Sequence, residues 1–214
     1  MDRMPPTPGT IYHGDCLEVM RGWPDKCVDA VITDPPYGVG LAYHTYDDSF
    51  KNWTDLMTYL VPELKRICKG IIVFPSGGHK NTEWLWKHYP PRWTICWYKG
   101  SPGCAAAIGF NDWEVLFVYG DDVHRNAHDH FYAKPSDGDV PEHPCAKSLD
   151  YYRWQIAKLT REDDVILEPF AGSGGGLVVA EQAGRKWVGI EMDHKYVKLC
   201  RDRVAAETAQ GKLF

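Results

Sequence analysis

The chain has no surplus of basic charge: 24 Lys and Arg stand against 29 Asp and Glu, a formal net charge of −5. Blanket attraction to a polyanion is therefore not expected, and any nucleic-acid contact has to rest on local clusters. Long apolar runs are missing too. Nothing approaches the roughly 20 residues of a membrane-crossing helix, and no secretory pattern is read at the amino end. The seven cysteines, at 16, 27, 68, 96, 104, 145 and 200, form no C-x-x-C pair and are odd in number. That disfavours both a disulfide framework and a zinc module, and a reduced, cytosol-like compartment is expected. A length of 214 residues suits one α/β domain with a full core.

What is present is sharply punctuated. The apolar run 28–33 (VDAVIT) ends in Asp34-Pro35-Pro36-Tyr37, which reads as a buried strand stopping at a stiff, ring-bearing loop. The prolines fix their own φ angles and carry no N–H, so the backbone beside the Asp34 carboxylate offers carbonyl acceptors without competing donors. A primary amine on a planar base has two N–H donors, and such a site accepts both. With Asp34 taking one and the Pro35 carbonyl the other, the nitrogen lone pair is turned towards an electrophile. Tyr37 supplies a face for an extruded base. The plain alternative is a strand-terminating turn.

A second signature lies near the other end. Residues 164–168 (DVILE) read as a strand that breaks into Pro169-Phe170-Ala171-Gly172-Ser173-Gly174-Gly175-Gly176 and then a helix at 177–183. Glycines let the backbone approach a ligand closely at a helix N-terminus. The dinucleotide template G-x-G-x-x-G wants a glycine at 177, where Leu177 stands, so that template fails. Residues 186–190 (KWVGI) give a further strand ending at Glu191, a carboxylate placed for a pair of ribose hydroxyls or else a plain surface acid. A short strand at 10–13 ends in Gly14-Asp15-Cys16, where Asp15 either meets a ligand or caps the next helix.

Together these motifs resemble the amino-group DNA methyltransferases, which use S-adenosylmethionine (SAM) to methylate adenine N6 or cytosine N4. Asp34 to Tyr37 matches the family's motif IV (DPPY), residues 170–174 (FAGSG) motif I, Glu191 motif II, Gly14-Asp15 motif III, and residues 143–147 with the following helix motif X. The resemblance spans about residues 10–207, and a catalytic motif ahead of the cofactor loop fits the circularly permuted β group. It implies an α/β fold, a Rossmann-like class I methyltransferase sheet, mostly parallel with one antiparallel strand. The catalytic set it implies is Asp34, Pro35, Pro36 and Tyr37. The SAM site it implies comprises Asp15, Cys16, Lys147, Glu168, Phe170, Ala171, Gly172, Ser173, Gly174, Glu191 and Met192, with no metal; for Lys147 a solvated lysine in a capping turn is the alternative.

The resemblance also implies DNA as the partner, a flipped adenine as the target, a homodimer, and a cytoplasmic enzyme of prokaryotic or phage origin; it names no restriction partner. Cytosine N4 is the alternative target, and a SAM- or DNA-binding accessory protein without catalysis is the alternative of another class. Two departures from the family pattern stand out. Glu168 takes the place of a usual aspartate, and Gly175-Gly176 replaces a common Thr-Thr, which loosens a helix start. The carbon-methylating relatives use a Pro-Cys nucleophile. Here Cys145 alone follows a proline, in a polar segment with no strand before it.

The remaining segments set further expectations. Residues 1–9, with Pro5, Pro6, Pro8 and Gly9, read as a poorly ordered lead-in, and residues 38–50 as a mobile aromatic lid. Helices are expected at 52–68, where Pro62 is a kink point, and at 80–89, 148–159 and 194–207. Strands are expected at 70–75, 92–98 and 112–119, the last two as a hairpin forming the antiparallel edge of the sheet. Residues 120–142, with His124, Arg125, His128, His130 and Lys134, occupy the place of a small recognition insert, and 208–214 a tail. Phosphate or base-edge contacts, or a solvated loop, are favoured over metal for the three histidines, since no second ligand cluster accompanies them.

Overall fold

The computed structural model describes residues 3–100, 104–106, 109–120, 127–136, 140 and 145–210. His124, Arg125, His143, Pro144, parts of the insert and residues 211–214 lie outside the described residues. The elements in chain order are β1 (Thr10–His13), α1 (Cys16–Arg21), β2 (Val28–Ile32), α2 (Phe50–Ile67), β3 (Cys68–Pro75), α3 (His79–His88), β4 (Trp93–Tyr98), β5 (Cys104–Ala106), β6 (Gly109–Asn111), β7 (Trp113–Tyr119), β8 (His130–Tyr132), α4 (Leu149–Leu159), β9 (Val165–Glu168), α5 (Gly175–Gln182), β10 (Lys186–Glu191) and α6 (His194–Gln210).

Among the described residues one sheet carries eight strands in the order β1-β10-β9-β2-β3-β7-β4-β8, and β5 with β6 forms a separate small hairpin. Side chains alternate across a strand, so neighbouring residues of β2, β3 and β9 serve two cores. Ala30, Ile32, Ile71 and Ile166 pack with Tyr151, Ile156, Leu177 and Val197 of α4, α5 and α6. Val31, Ile72 and Leu167 pack with Met20, Leu60, Leu64 and Leu85 of α1, α2 and α3. The sheet is thus sandwiched by helices, which is why its strands read as nearly continuous apolar runs.

The expectation of a mostly parallel sheet with one antiparallel strand holds: β7 runs antiparallel to both of its neighbours, β3 and β4, and the other pairings are parallel. The hairpin of β4 and β7 is not the edge, however. β7 sits between β3 and β4, and β8 pairs outside β4 through Cys96↔His130, Trp97↔Phe131 and Tyr98↔Tyr132. Phe131 drives that addition. Its ring stacks on Trp154 of α4 at 4.5 Å and is buried, while His130 and Tyr132 on either side are exposed.

Three local readings change as well. The lead-in is tied down from Arg3 onward: Gly9 N donates to Trp187 O (2.7 Å), Thr7 N to the Tyr12 hydroxyl (3.0 Å), and Arg3 pairs with Asp25 (3.4 Å). α2 runs on through Pro62, whose missing N–H frees the Thr58 carbonyl. The Tyr89 hydroxyl donates to that carbonyl at 3.0 Å and makes good the loss. α5 begins at Gly175 rather than after the glycines, with Val178 N donating to Gly174 O at 2.9 Å, and the glycines leave room for the Tyr152 ring, from which a Cβ at 175 or 176 would stand 3.1 or 3.2 Å.

The strand order reverses between β9 and β2, whose chain neighbours depart in opposite directions along the sheet. A crevice outside the carboxyl ends of the strands opens at such a switch point. β2 delivers Asp34 to it, and β9 delivers the glycine loop.

Candidate active site

Asp34 leaves the sheet one residue after Thr33, whose N–H still donates to Val73 O (3.1 Å) and whose hydroxyl donates to the Glu168 carboxyl. Pro35 is buried, and Tyr37 is anchored from α3, where buried Asn81 donates Nδ2–H to Tyr37 O at 2.7 Å. Gly38 follows at φ +66°, and a Cβ there would lie 2.7 Å from Cβ of Trp53. The loop beyond is folded back by one side chain. Buried Asp48 accepts N–H donors from Gly38 (2.6 Å), Val39 (3.1 Å) and Leu41 (3.1 Å), so the segment read as a lid is closed on itself with Tyr43, His44 and Thr45 at its tip.

Around Asp34 the charges are arranged in pairs. The Tyr37 hydroxyl donates to Oδ1 at 2.8 Å, and the Lys147 ammonium lies 2.9 Å from Oδ2. The same ammonium stands 5.0 Å from the Tyr37 ring centre and 5.8 Å from that of Trp97. Behind Tyr37, Lys99, just past the end of β4, pairs with Glu114 of β7 at 2.9 Å, and Glu114 Oε2 is 3.5 Å from the Tyr37 hydroxyl. Burial pushes the Tyr37 hydroxyl well above its ordinary range, reinforced by Asp34 and Glu114, so it stays a donor. For Lys147, burial works against the charge but the Asp34 carboxylate outweighs it and holds the lysine above its usual value.

The other half of the crevice is made of backbone. Glu191 Oε2 accepts from Gly172 N (2.7 Å) and its Oε1 from Asp193 N (2.8 Å), while Arg203 donates to Ser173 O at 2.8 Å. Gly174 has φ +83°, and a Cβ on it would stand 2.6 Å from Cys200 Sγ. Burial raises both Glu191 and Glu168. Glu168 lies beneath the loop, where burial favours its protonated form. Its Oε1 accepts from Thr33 and Phe170, and its Oε2 is buried with no partner among the described residues.

One cleft, about 880 Å³ with the open solvent at its mouth included, is lined by Asp34, Pro35, Pro36 and Tyr37 on one side and by Phe170, Ala171, Gly172, Ser173 and Glu191 on the other. A smaller hollow of about 460 Å³ shares Pro36, Phe170 and Glu191 with it and adds Asp15, Cys16 and Met192. The two expected sets therefore meet, with three exceptions. Lys147 lines the cleft but its ammonium is on Asp34. Glu168 and Gly174 support the loop from below rather than line either hollow. Asp15 does cap α1, accepting from Glu18 N at 3.0 Å, and still borders the hollow. Burial, with Asp15 beside it, pushes the Cys16 thiol up to about 12, which leaves it a neutral wall.

Tyr43 and His44, expected as part of an aromatic lid over the site, do line the cleft, while sequence reading missed Thr45 beside them, Tyr152 beneath the loop, Asp193 and Tyr196 beside Glu191, and the Lys99–Glu114 pair. Asp193 was within reach of the rule that found Glu191, being two residues past the same strand end. The others depend on contacts between distant segments. Among the described residues no group of three or more His, Cys, Asp or Glu is arranged to hold a metal, and no helix is long and apolar enough to cross a membrane.

The family model for N6/N4 methyltransferases, described as DNA methylase, matches residues 75–202, more than half of the chain. The chain belongs to this family. The matched stretch begins after Asp34 to Tyr37. The DNA adenine methyltransferase YhdJ of Escherichia coli K12 is 22% identical over 89% of this chain and 80% of its own length. In fold, the chain is similar to the M1.HpyAVI–SAM complex, with a TM-score of 0.68, 22% identity, and coverage of 91% of this chain and 98% of that one. It is likewise similar to the PvuII cytosine-N4-specific DNA methyltransferase, with a TM-score of 0.71, 15% identity and coverage of 96% and 93%.

Proposed function

We propose that this DNA methylase transfers a methyl group from SAM to the exocyclic N6 of adenine in DNA. The observation that carries the proposal is that the Asp34 carboxylate and the Gly172–Ser173 loop face one another across a single cleft.

The residues present fit SAM. The Glu191 carboxylate, fixed by two backbone donors, keeps a lone pair on each oxygen for ribose hydroxyls. Asp15 and Met192 border the hollow suited to the adenine end, and Phe170 packs between the two spaces. When bound, SAM supplies an electrophilic sulfonium methyl.

The chain's own task is placement. Asp34 retains one lone pair on each oxygen after Tyr37 and Lys147 have taken theirs, so it still accepts a base N–H, and the Pro35 carbonyl takes the second. The amine's lone pair then points across the cleft, and placement of this kind is worth roughly 7–11 kcal/mol of a barrier. A base reaches so recessed a site only by leaving the stack. The Tyr37 ring, and Tyr43 at the loop tip, offer it surfaces. Because the recognition insert is small, we further propose a homodimer to extend the DNA contact; a monomeric mass in solution at assay concentrations would count against that.

Oligonucleotides distinguish the targets. Replacing every adenine with purine, which lacks the amine, is expected to abolish labelled-methyl incorporation, while removing the cytosine amine leaves it intact. The opposite pattern makes cytosine N4 the acceptor, and no incorporation into any DNA overturns the enzymatic reading.

A further inference from the structure

Three carboxyl groups converge under the target side of the cleft. Asp34 comes from β2, Glu114 from β7, and Glu168 from β9. Each is dealt with differently: burial pushes Glu168 towards its neutral form, Lys99 pairs with Glu114, and Lys147 pairs with Asp34. The groups facing Asp34 are Tyr37 from its own loop, Tyr43 from the stapled loop, Cys145 and Lys147 from the segment before α4, Tyr151 and Tyr152 from α4, and Glu168 from β9; Glu114 and Lys99 lie one shell further out, behind Tyr37. Among these described neighbours Lys147 is the cation in direct contact.

Its backbone is firmly placed. Ser148, next to it, is buried and caps α4 by accepting from Tyr151 N (3.4 Å), and its own hydroxyl and N–H donate to Lys134 O (2.6 Å) and Pro135 O (3.2 Å). The side chain then runs between the Tyr37 and Trp97 rings. Lys147 and Asp34 side chains are only 12% and 13% exposed, and a pair so withdrawn from water adds little net stability for its desolvation cost. A role at the site accounts better than folding for a lysine buried beside Asp34.

We propose that Lys147 is a positioning residue for the target base rather than a cofactor ligand, its ammonium fixing the orientation of the Asp34 carboxylate through Oδ2. This rests on the reading of Asp34 as the acceptor for the base amine. With Oδ1 held by the Tyr37 hydroxyl and Oδ2 by Lys147, the carboxylate is fixed from two sides and its remaining lone pairs keep one direction. With Lys147 gone, only Tyr37 holds it, and the carboxylate is free to turn away from the amine.

The test uses the full-length protein and its Lys147→Met and Lys147→Arg variants. SAM affinity by calorimetry is expected to be unchanged in Lys147→Met, which also reports an intact fold, while kcat falls at least about tenfold. Lys147→Arg, which can keep the ion pair with Asp34, is expected to recover most of that loss. Unchanged kcat in Lys147→Met, or a loss confined to SAM affinity or to KM for SAM, overturns the proposal. Absence of methyl transfer by the wild type would overturn the functional reading, and the SAM affinity of Lys147→Met, which needs no activity, would still decide whether Lys147 is a cofactor ligand.

Discussion

The two halves of the cleft are built from different materials. On the cofactor side, one contiguous stretch, residues 169–176, turns its backbone into the wall, and carboxylates serve mainly to hold that backbone: both Glu191 oxygens are taken by main-chain N–H groups. On the target side the wall is charge on side chains, and the pieces come from positions 34, 37, 99, 114 and 147. A backbone wall tolerates exchange of side chains above it but not a Cβ below it. A charge cluster tolerates backbone change but not the loss of one partner.

The comparison breaks most visibly at Asp34. Asp34→Ala is expected to lower kcat by at least about 10²-fold, the scale for losing one preorganised polar group at a reacting centre, with SAM affinity nearly unchanged. Calorimetry and methyl incorporation measured on the same preparation check both halves at once. The mirror experiment is Gly174→Ala. It adds a Cβ 2.6 Å from Cys200 Sγ at φ +83° and is expected to cost roughly 1–3 kcal/mol of strain, read as weaker SAM binding and a lower melting temperature.

A smaller effect is expected at Glu114→Gln, which leaves Lys99 without its counter-charge 2.9 Å away and loosens the hold on the Tyr37 hydroxyl. Turnover should fall several-fold while SAM affinity stays put. A change in SAM affinity instead would mean that the two halves are mechanically coupled.

The mildest prediction concerns Glu168, whose folded-state pKa is raised by burial. Between the unfolded carboxyl value of about 4.3 and the raised value, the native state binds more protons than the unfolded chain, so stability falls as pH rises through that window. Glu168→Gln cannot ionise and is expected to show a flatter pH dependence in urea melts, with relative stabilisation at neutral pH. An unchanged slope would place Glu168 in a wetter setting than its burial indicates.

The same contrast explains what could be read from the chain. The cofactor half was legible because glycine loop, strand and terminal acid lie within 24 residues of one another, from Glu168 to Glu191, and local chemistry dictates them. Asp34 to Tyr37 was legible for the same reason. Lys99, Glu114 and the true partner of Lys147 were not, because nothing in the sequence says that β7 inserts between β3 and β4 and brings Glu114 behind Tyr37. The edge strand escaped notice on similar grounds: β8 has one buried residue, Phe131, between two exposed ones, too short for a period to register. Asp48 was visible only as one acid in an aromatic loop, whereas its function lies in three backbone donors that converge after folding.

The most direct measurement digests natural DNA to nucleosides after reaction with the protein and isotopically labelled SAM, and weighs the products. An acid and a proline carbonyl gripping an exocyclic amine predict label on that amine, and the proposed target predicts it in N6-methyladenine. Label in N4-methylcytosine would overturn the proposed target, and label on a ring carbon of cytosine, or in no nucleoside at all, would contradict the whole account.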